Sequence, residues 1–470
     1  MTDEPNILLI YSDQHRGDCL GVNGHPLLET PNLDRMAEEG VDFERAYCPI
    51  PLCVPARSTL LTGEWPTGHL SIANYDTESP RPLRGDLPTF SELLKEVGYR
   101  LGYVGKWHVD QYKSPLQYDF HEYAPQREYA DWRKEQGLLD RPRQNKWFGE
   151  TDPHIDPDQS RLAWGADRIV QSLERYGAEE EPFFLRWDPV EPHLPNVVPE
   201  PYASMYDPEE IPPWPGFEDD LEDKPYAQRQ QLRTWRLEDW DWSDWAKVVA
   251  RYLGEISLLD RQMGRILAAL ERLDLEKNTF VIYTSDHGDM CGSHGMIDKH
   301  FVMYEDVLHV PLIVRPPLSE EPEPEGREED SSPCRAFVSN SLDLASTFLD
   351  IANVEPPETF RGDSLLPFLT RPSRGGRSEI FATYHGNQFG LFSQRAVTDG
   401  EWKYVWNATA RDELYHLSCD PGELHNLARD RGSADKLRDL RRRLVKWMEK
   451  TEDSLLNPWT RKQLEEGLTV

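Results

Sequence analysis

The sequence predicts an α/β protein with a large central sheet, mixed but mostly parallel, flanked by helices. A smaller C-terminal antiparallel sheet plus helix follows it. Three observations predict this. Short continuous apolar runs at 6–11, 182–187 and 279–284 are bounded by polar residues, as buried strands of a sheet covered on both faces are. Amphipathic helical patterns stand between these runs. From about residue 379 the pattern changes to short alternating strands. We therefore divide the chain into a larger unit, 1–372, carrying the candidate site, and a smaller α+β unit, 373–470.

Taken in order, residues 6–11 (Asn-Ile-Leu-Leu-Ile-Tyr) are the first buried strand. Residues 30–40 read as a helix opened by Thr30-Pro31 and closed by Gly40, and 41–47 alternate as one strand leading toward Cys53. Pro55 fixes a backbone angle in what reads as a turn, and Ser58 to Leu61 read as the start of a helix. Residues 87–98 form an amphipathic helix with a glycine stop, followed by a strand at 100–104. The polar, Pro- and Asp-rich stretch 110–160 reads as insertion loops over the carboxyl face of the sheet. A helix at 161–176 precedes the strand at 182–187.

The stretch 199–245 is proline-rich and holds Trp214, Trp235, Trp240, Trp242 and Trp245. Its indoles suit either a lid that stacks on a sugar or cationic headgroup, or the packing of a long insertion, the more ordinary case. Tyr252, Ile256, Leu259, Met263, Ile266 and Leu270 recur at helical spacing and mark a long core-facing helix. After the strand at 279–284, residues 303–314 return to the sheet, and 316–333 read as an acidic surface loop. A helix at 343–352 and the segment 362–369 close the larger unit. Strands at 380–384, 395–398 and 402–405 and a helix at 437–448 make up the smaller one.

Composition narrows the function. The 470 residues carry 52 Lys plus Arg against 84 Asp plus Glu, a formal net charge of −32. That argues against nucleic acid and against an anionic membrane as partners, since both need basic surface. An anionic substrate would require a local basic exception. The six cysteines (Cys19, Cys48, Cys53, Cys291, Cys334 and Cys419) are scattered without a CxxC pair, which reads as reduced thiols of an intracellular protein. The acidic start Met1-Thr2-Asp3-Glu4-Pro5 has no signal-peptide character, so a cytoplasmic location is expected.

The chemistry-bearing residues sit where an open α/β sheet places its sites, at the carboxyl ends of strands. Asp13 and Gln14 follow the first strand, and Asp286 and His287 follow the strand at 279–284. Two such ends supply four candidate ligands for one divalent cation; alone, Asp13-Gln14 reads more readily as a plain Asx-turn. Lys106 and His108 flank Trp107 after the strand at 100–104 and, in an extended segment, point the same way. His193 lies among prolines past the strand at 182–187. Cys53-Val54-Pro55-Ala56-Arg57 places a thiol and a guanidinium four residues apart at the mouth of a helix, a setting that suits an anion. In isolation that pattern also fits a buried free cysteine.

Together these passages resemble the type I, formylglycine-dependent sulfatases of the alkaline-phosphatase superfamily. The resemblance rests on Cys-Val-Pro-Ala-Arg at 53–57, Thr30 to Phe43, Gly-Lys-Trp-His at 105–108, Pro-His-Leu-Pro at 192–195, Ser-Asp-His-Gly-Asp at 285–289, Lys299, and the tail 413–428. Gln14 departs from the usual second acid and resembles the choline-sulfatase and phosphonate monoester hydrolase branch.

The resemblance implies that a formylglycine-generating enzyme oxidises Cys53 to formylglycine, whose hydrate is the nucleophile. It implies a divalent cation, first Ca²⁺ with Mg²⁺ or Mn²⁺ as alternatives, on Asp13, Gln14, Asp286 and His287. Arg57, Lys106 and Lys299 would hold the diol and the sulfuryl oxygens, His193 would protonate the leaving alcohol, and His108 would take the proton that lets the aldehyde return. Asn74 would line the pocket, as an asparagine does in the choline-sulfatase branch. The expected substrate is a sulfated carbohydrate or a small organic sulfate. The alternatives are a phosphonate monoester or phosphodiester hydrolase on the same scaffold, and a non-catalytic binder of anionic glycans.

Overall fold

The computed structural model describes residues 4–74, 83–144, 147–318, 333–386 and 392–467. Its centre is a seven-stranded sheet. In chain order the strands are β1 (Asn6–Ser12), β2 (Val41–Asp42), β3 (Arg100–Gly105), β4 (Glu122–Pro125), β5 (Phe183–Asp188), β6 (Thr279–Ser285) and β7 (Leu312–Arg315). Across the sheet they run β2-β7-β6-β1-β5-β3-β4. The five strands from β6 to β4 are parallel; β7 runs antiparallel to β6 and to β2.

Because side chains alternate along a strand, β1 feeds two cores. Leu8 and Ile10 pack with helices Arg161–Tyr176 and Trp242–Arg272 on one face. Ile7, Leu9 and Tyr11 pack with Cys53–Thr62, Phe90–Glu96 and Asn340–Ile351 on the other. The helical stripe Tyr252, Ile256, Leu259, Met263, Ile266 and Leu270 is fully buried, as its spacing requires. The C-terminal sheet is antiparallel in sequence order, Ile380–Gly386, Phe392–Thr398, Trp402–Asn407 and Glu413–His416, and is backed by the helix Ala434–Lys450.

Several local expectations change. Residues 110–160 are not only loops: they supply the edge strand β4 and the helix Glu128–Glu135. Edge strands are short and half-polar, which masks their period. The stretch 41–47 splits into Val41–Asp42, in the central sheet, and Ala46–Tyr47, which pairs with Val338–Ser339. A final helix, Pro458–Glu466, was not foreseen. Most of the expected surface loop at 316–333 falls in 319–332, outside the described residues.

The tryptophans of 199–245 pack on one another and on neighbouring rings. Trp240 lies 5.0 Å from Trp245 and 4.5 Å from Phe148, and Trp242 lies 5.0 Å from Phe217. All six cysteines are free, and five are buried. No helix among the described residues is long and apolar enough to cross a membrane.

Candidate active site

The site is assembled at the carboxyl ends of β1, β3, β5 and β6. Ser12 and Ser285 are register partners, so the next residues, Asp13 and Asp286, stand side by side. Gly105 and Asp188 pair in the same way. These three carboxylates are fully buried, and one guanidinium meets all of them. Arg57 Nη2 lies 2.8 Å from Asp13 Oδ2 and 2.9 Å from Asp286 Oδ2, and Nη1 donates to Asp188 Oδ2. Asp188 also accepts from Tyr103 Oη at 2.7 Å and from Arg186 Nε and Nη2 at 2.6 Å each.

Arg57 reaches that position from the helix Cys53–Thr62, which begins at Cys53 itself rather than near Ser58. Pro55 falls in the first turn, where a missing N–H costs nothing. A proline read as a turn is here part of the helix. Leu52 precedes the helix without a side-chain cap; instead Asn74 Oδ1 accepts the Val54 N–H at 3.1 Å. Cys53 and Arg57, four apart, share one helix face.

Cys53 Sγ lies 3.3 Å from His287 Nε2 and 3.8 Å from Asp13 Oδ1. Burial opposes ionisation of this thiol. The surrounding Lys106, Lys299 and His287 and the hydrogen bond with His108 outweigh it and hold the thiol well below its ordinary range. Lys106 Nζ lies 2.5 Å from Asp13 Oδ2. His193 Nδ1 bonds to Leu194 O at 2.6 Å, which leaves Nε2 facing Lys299 Nζ at 3.0 Å and Asp13 Oδ1 at 3.8 Å. Lys299 is also 3.1 Å from Asp298. His108 was expected to share a direction with Lys106 by alternation. It reaches Cys53 instead through a left-handed turn (φ 46°). Burial first, then Lys106, lowers its pKa below the usual 6.5, favouring the neutral base.

The donor set fits a hard divalent cation. Ligand atoms of Asp13, Cys53, Asp286 and His287 lie within 4.8 Å of one another. His287 Nδ1 bonds to Gly288 O at 2.8 Å, so the Nε2 lone pair faces the cluster. Burial and Cys53 push the Asp13 carboxyl up, but Lys106, His193 and Arg57 hold it well below the carboxylate range. Burial and repulsion from Asp13 hold Asp286 above that range, the pattern of two acids competing for one site. Gln14 sits at φ 65° with its Nε2 on Asp298 Oδ1 at 2.6 Å, and its Oε1 is buried and accepts no hydrogen bond among the described residues. An orphaned buried carbonyl costs about 1–3 kcal/mol, and a cation would satisfy it.

Every residue singled out in the sequence is thus near this cluster, with Asn74 at the helix start rather than on the carboxylates. Sequence reasoning missed Asp188, Tyr103, Arg186 and Asp298 as partners. Asp188 carried a usable signal: like Asp13 and Asp286, it is an aspartate at the carboxyl end of a buried strand.

A family profile described as Sulfatase matches residues 5–354, three quarters of the chain. The chain belongs to the sulfatase family. A second profile, N-sulphoglucosamine sulphohydrolase, C-terminal, matches residues 292–450. An arylsulfatase of Clostridium perfringens is 30% identical, over 96% of this chain and 95% of that protein. A choline-sulfatase of Rhizobium meliloti is 27% identical, over 93% and 85%. The crystal structure of a phosphonate monoester hydrolase of Agrobacterium radiobacter superposes with a TM-score of 0.82 at 26% identity, over 95% and 96%. The fold is alkaline-phosphatase-like. This sulfatase is a sulfuric ester hydrolase.

Proposed function

We propose that this sulfatase cleaves the sulfate ester of a sulfated carbohydrate or small organic alcohol through a formylglycine hydrate made from Cys53. A formylglycine-generating enzyme would install the aldehyde. The observation that carries the reading is the position of Cys53 Sγ, within 4 Å of both His287 Nε2 and Asp13 Oδ1 and beside the charges of Lys106 and Lys299. Asp13, Gln14, Asp286 and His287 would hold a divalent cation, most simply Ca²⁺, with Mg²⁺ or Mn²⁺ also suited to oxygen and imidazole donors. When bound, that cation supplies Lewis acidity toward oxygen, and the hydrate supplies a hydroxyl nucleophile with a second hydroxyl beside it.

The chain's own residues do the rest. Arg57 shares its charge among three carboxylates and so offsets their mutual repulsion at close range. Lys106 and Lys299 place fixed positive charge where the sulfuryl oxygens gain negative charge, which is electrostatic preorganisation. As the imidazolium, protonated on both ring nitrogens, His193 gives its Nε2 proton to the alcohol oxygen as the bond to sulfur breaks and is left as the neutral ring. His108, held neutral, accepts the proton whose loss lets the aldehyde re-form with release of sulfate. Asn74 holds the first turn of the helix and so positions Cys53. We further propose that residues 1–372 carry the catalytic unit, 373–470 a smaller α+β unit, and that the protein acts in the cytoplasm.

A second reading, hydrolysis of phosphonate monoesters or phosphodiesters, is supported by Gln14 and by the likeness to the phosphonate monoester hydrolase. Lys106 and His108 favour the sulfatase reading. The test is turnover of an aryl sulfate against an aryl phosphonate monoester by protein co-produced with the converting enzyme, with peptide mass spectrometry of Cys53 and Cys53→Ala as control. Preferred sulfate turnover that vanishes in Cys53→Ala is expected. Preferred phosphonate turnover would establish the second reading instead, and wild-type activity in Cys53→Ala would remove the nucleophile assignment.

A further inference from the structure

Against the loop that carries His193 lies a cavity of about 1130 Å³ whose lining reverses the charge of the chain. It presents Arg127, Arg133, Lys134, Arg141, Arg143 and Arg161 against one carboxylate, Asp140, in a protein of net charge −32. The loop that carries His193 also reaches the cavity: Pro195 and Val197, two and four residues after His193, line it. Arg141 Nη2 touches Pro195 O at 3.5 Å. Two contacts pin that loop, Arg161 to Glu191 at 2.7 Å and the buried pair Asn196 to Glu255 at 2.7 Å.

The cations fall into two groups. Arg133 pairs with Asp152 at 2.7 Å, Arg161 with Glu191, and Arg141 loosely with Glu255 at 4.0 Å. These shape the wall, yet Arg133 Nη2 is buried with no hydrogen-bond partner among the described residues. Arg127 and Arg143, at the rim, are exposed and form no ion pair among the described residues. The lining also holds Tyr129, Pro142 and Trp147. Trp147 is 48% exposed and is held edge-on by Trp235, with ring centroids 5.6 Å apart. Cations with donors to spare next to a flat, half-exposed indole are the recognition elements of an anionic sugar.

We propose that this cavity is a second anion subsite, which takes a further sulfate or carboxylate of a polyanionic saccharide while its scissile sulfate occupies the Cys53 site. The inference rests on the sulfatase reading for the scissile end and on the cavity's own chemistry for the rest. The probe is sucrose octasulfate, followed by calorimetry against the wild type, the double variant Arg127→Ala/Arg143→Ala, and a control of equal charge change at exposed positions elsewhere, Arg429→Ala/Arg431→Ala. The cavity variant is expected to bind about 10-fold or more weakly, since each lost charge-assisted contact is worth roughly a factor of ten. The control is expected to stay within about twofold.

Octasulfate should also inhibit wild-type turnover of 4-methylumbelliferyl sulfate competitively. Equal losses in both double variants, or no loss in either, would overturn the subsite. So would binding without inhibition of a measurable aryl-sulfate activity. If wild-type protein with the aldehyde confirmed turns over no aryl sulfate, the sulfatase reading fails, and the calorimetry still decides the cavity.

Discussion

Asp188→Asn tests the frame that holds Arg57. The carboxylate balances two fully buried guanidiniums, Arg57 and Arg186, and also accepts from Tyr103. Asparagine keeps the shape, removes the charge and turns one acceptor into a donor facing other donors. Removing one partner of a buried ion pair costs about 3–5 kcal/mol, because the remaining charge is left uncompensated. For 470 residues, an unfolding entropy of about 2.1 cal/mol/K per residue gives roughly 1 kcal/mol per degree. A Tm fall of about 3–5 °C is therefore expected if the chain melts as one unit. Arg57 would lose one of its three anchors, so kcat/KM for 4-methylumbelliferyl sulfate should drop about 10- to 100-fold, mostly in kcat, as for loss of a preorganised charge. Scanning calorimetry and initial rates on the same preparation measure both. An unchanged Tm with unchanged kcat/KM would refute the argument that Asp188 neutralises and orients Arg57.

Three further outcomes are expected. Burial, aided by Glu44, pushes the Asp42 carboxyl up to about 7. The folded state then binds its proton more tightly than the unfolded state, so stability falls as pH rises from about 4 through 7. Asp42→Asn should raise Tm at pH 8, by at most the equivalent of about 4 kcal/mol, and change little at pH 4; a pH-independent difference would count against it. Gln14→Leu removes the orphaned amide oxygen and should weaken Ca²⁺ affinity about 10- to 100-fold, read as a smaller Ca²⁺-dependent rise in Tm. His193→Ala should slow esters of poor leaving groups by about 10²–10⁴ and activated aryl esters far less. A leaving-group series in which all esters slow equally would remove His193 as the acid.

How much of this was legible follows from what sequence patterns encode. Buried strands at 6–11, 182–187 and 279–284 were readable because runs of apolar residues have one solution in a covered sheet. Asp13 and Asp286 were readable because strand ends are where open α/β sheets place chemistry. Residues 110–160 were misread because a half-polar edge strand and a short helix lack a clean period. The start of the Cys53 helix was misread because Pro55 signals a turn unless it lies in a first helical turn. Asp188 was passed over although it occupies the same kind of position as Asp13.

By itself the sequence determined the α/β class, the sulfatase-like order of motifs and which polar residues stand at the strand ends, since these depend on local residue type and spacing. Only the tertiary structure decided which atoms meet. Arg57 bridging three carboxylates, Asn74 reaching Val54, and His108 turning through φ 46° onto Cys53 depend on strand register and left-handed turns. So does the basic cavity, whose cations are spread from 127 to 161. Contacts between residues tens to hundreds of positions apart leave no period in the chain, because they are set by how elements pack and not by how each one forms.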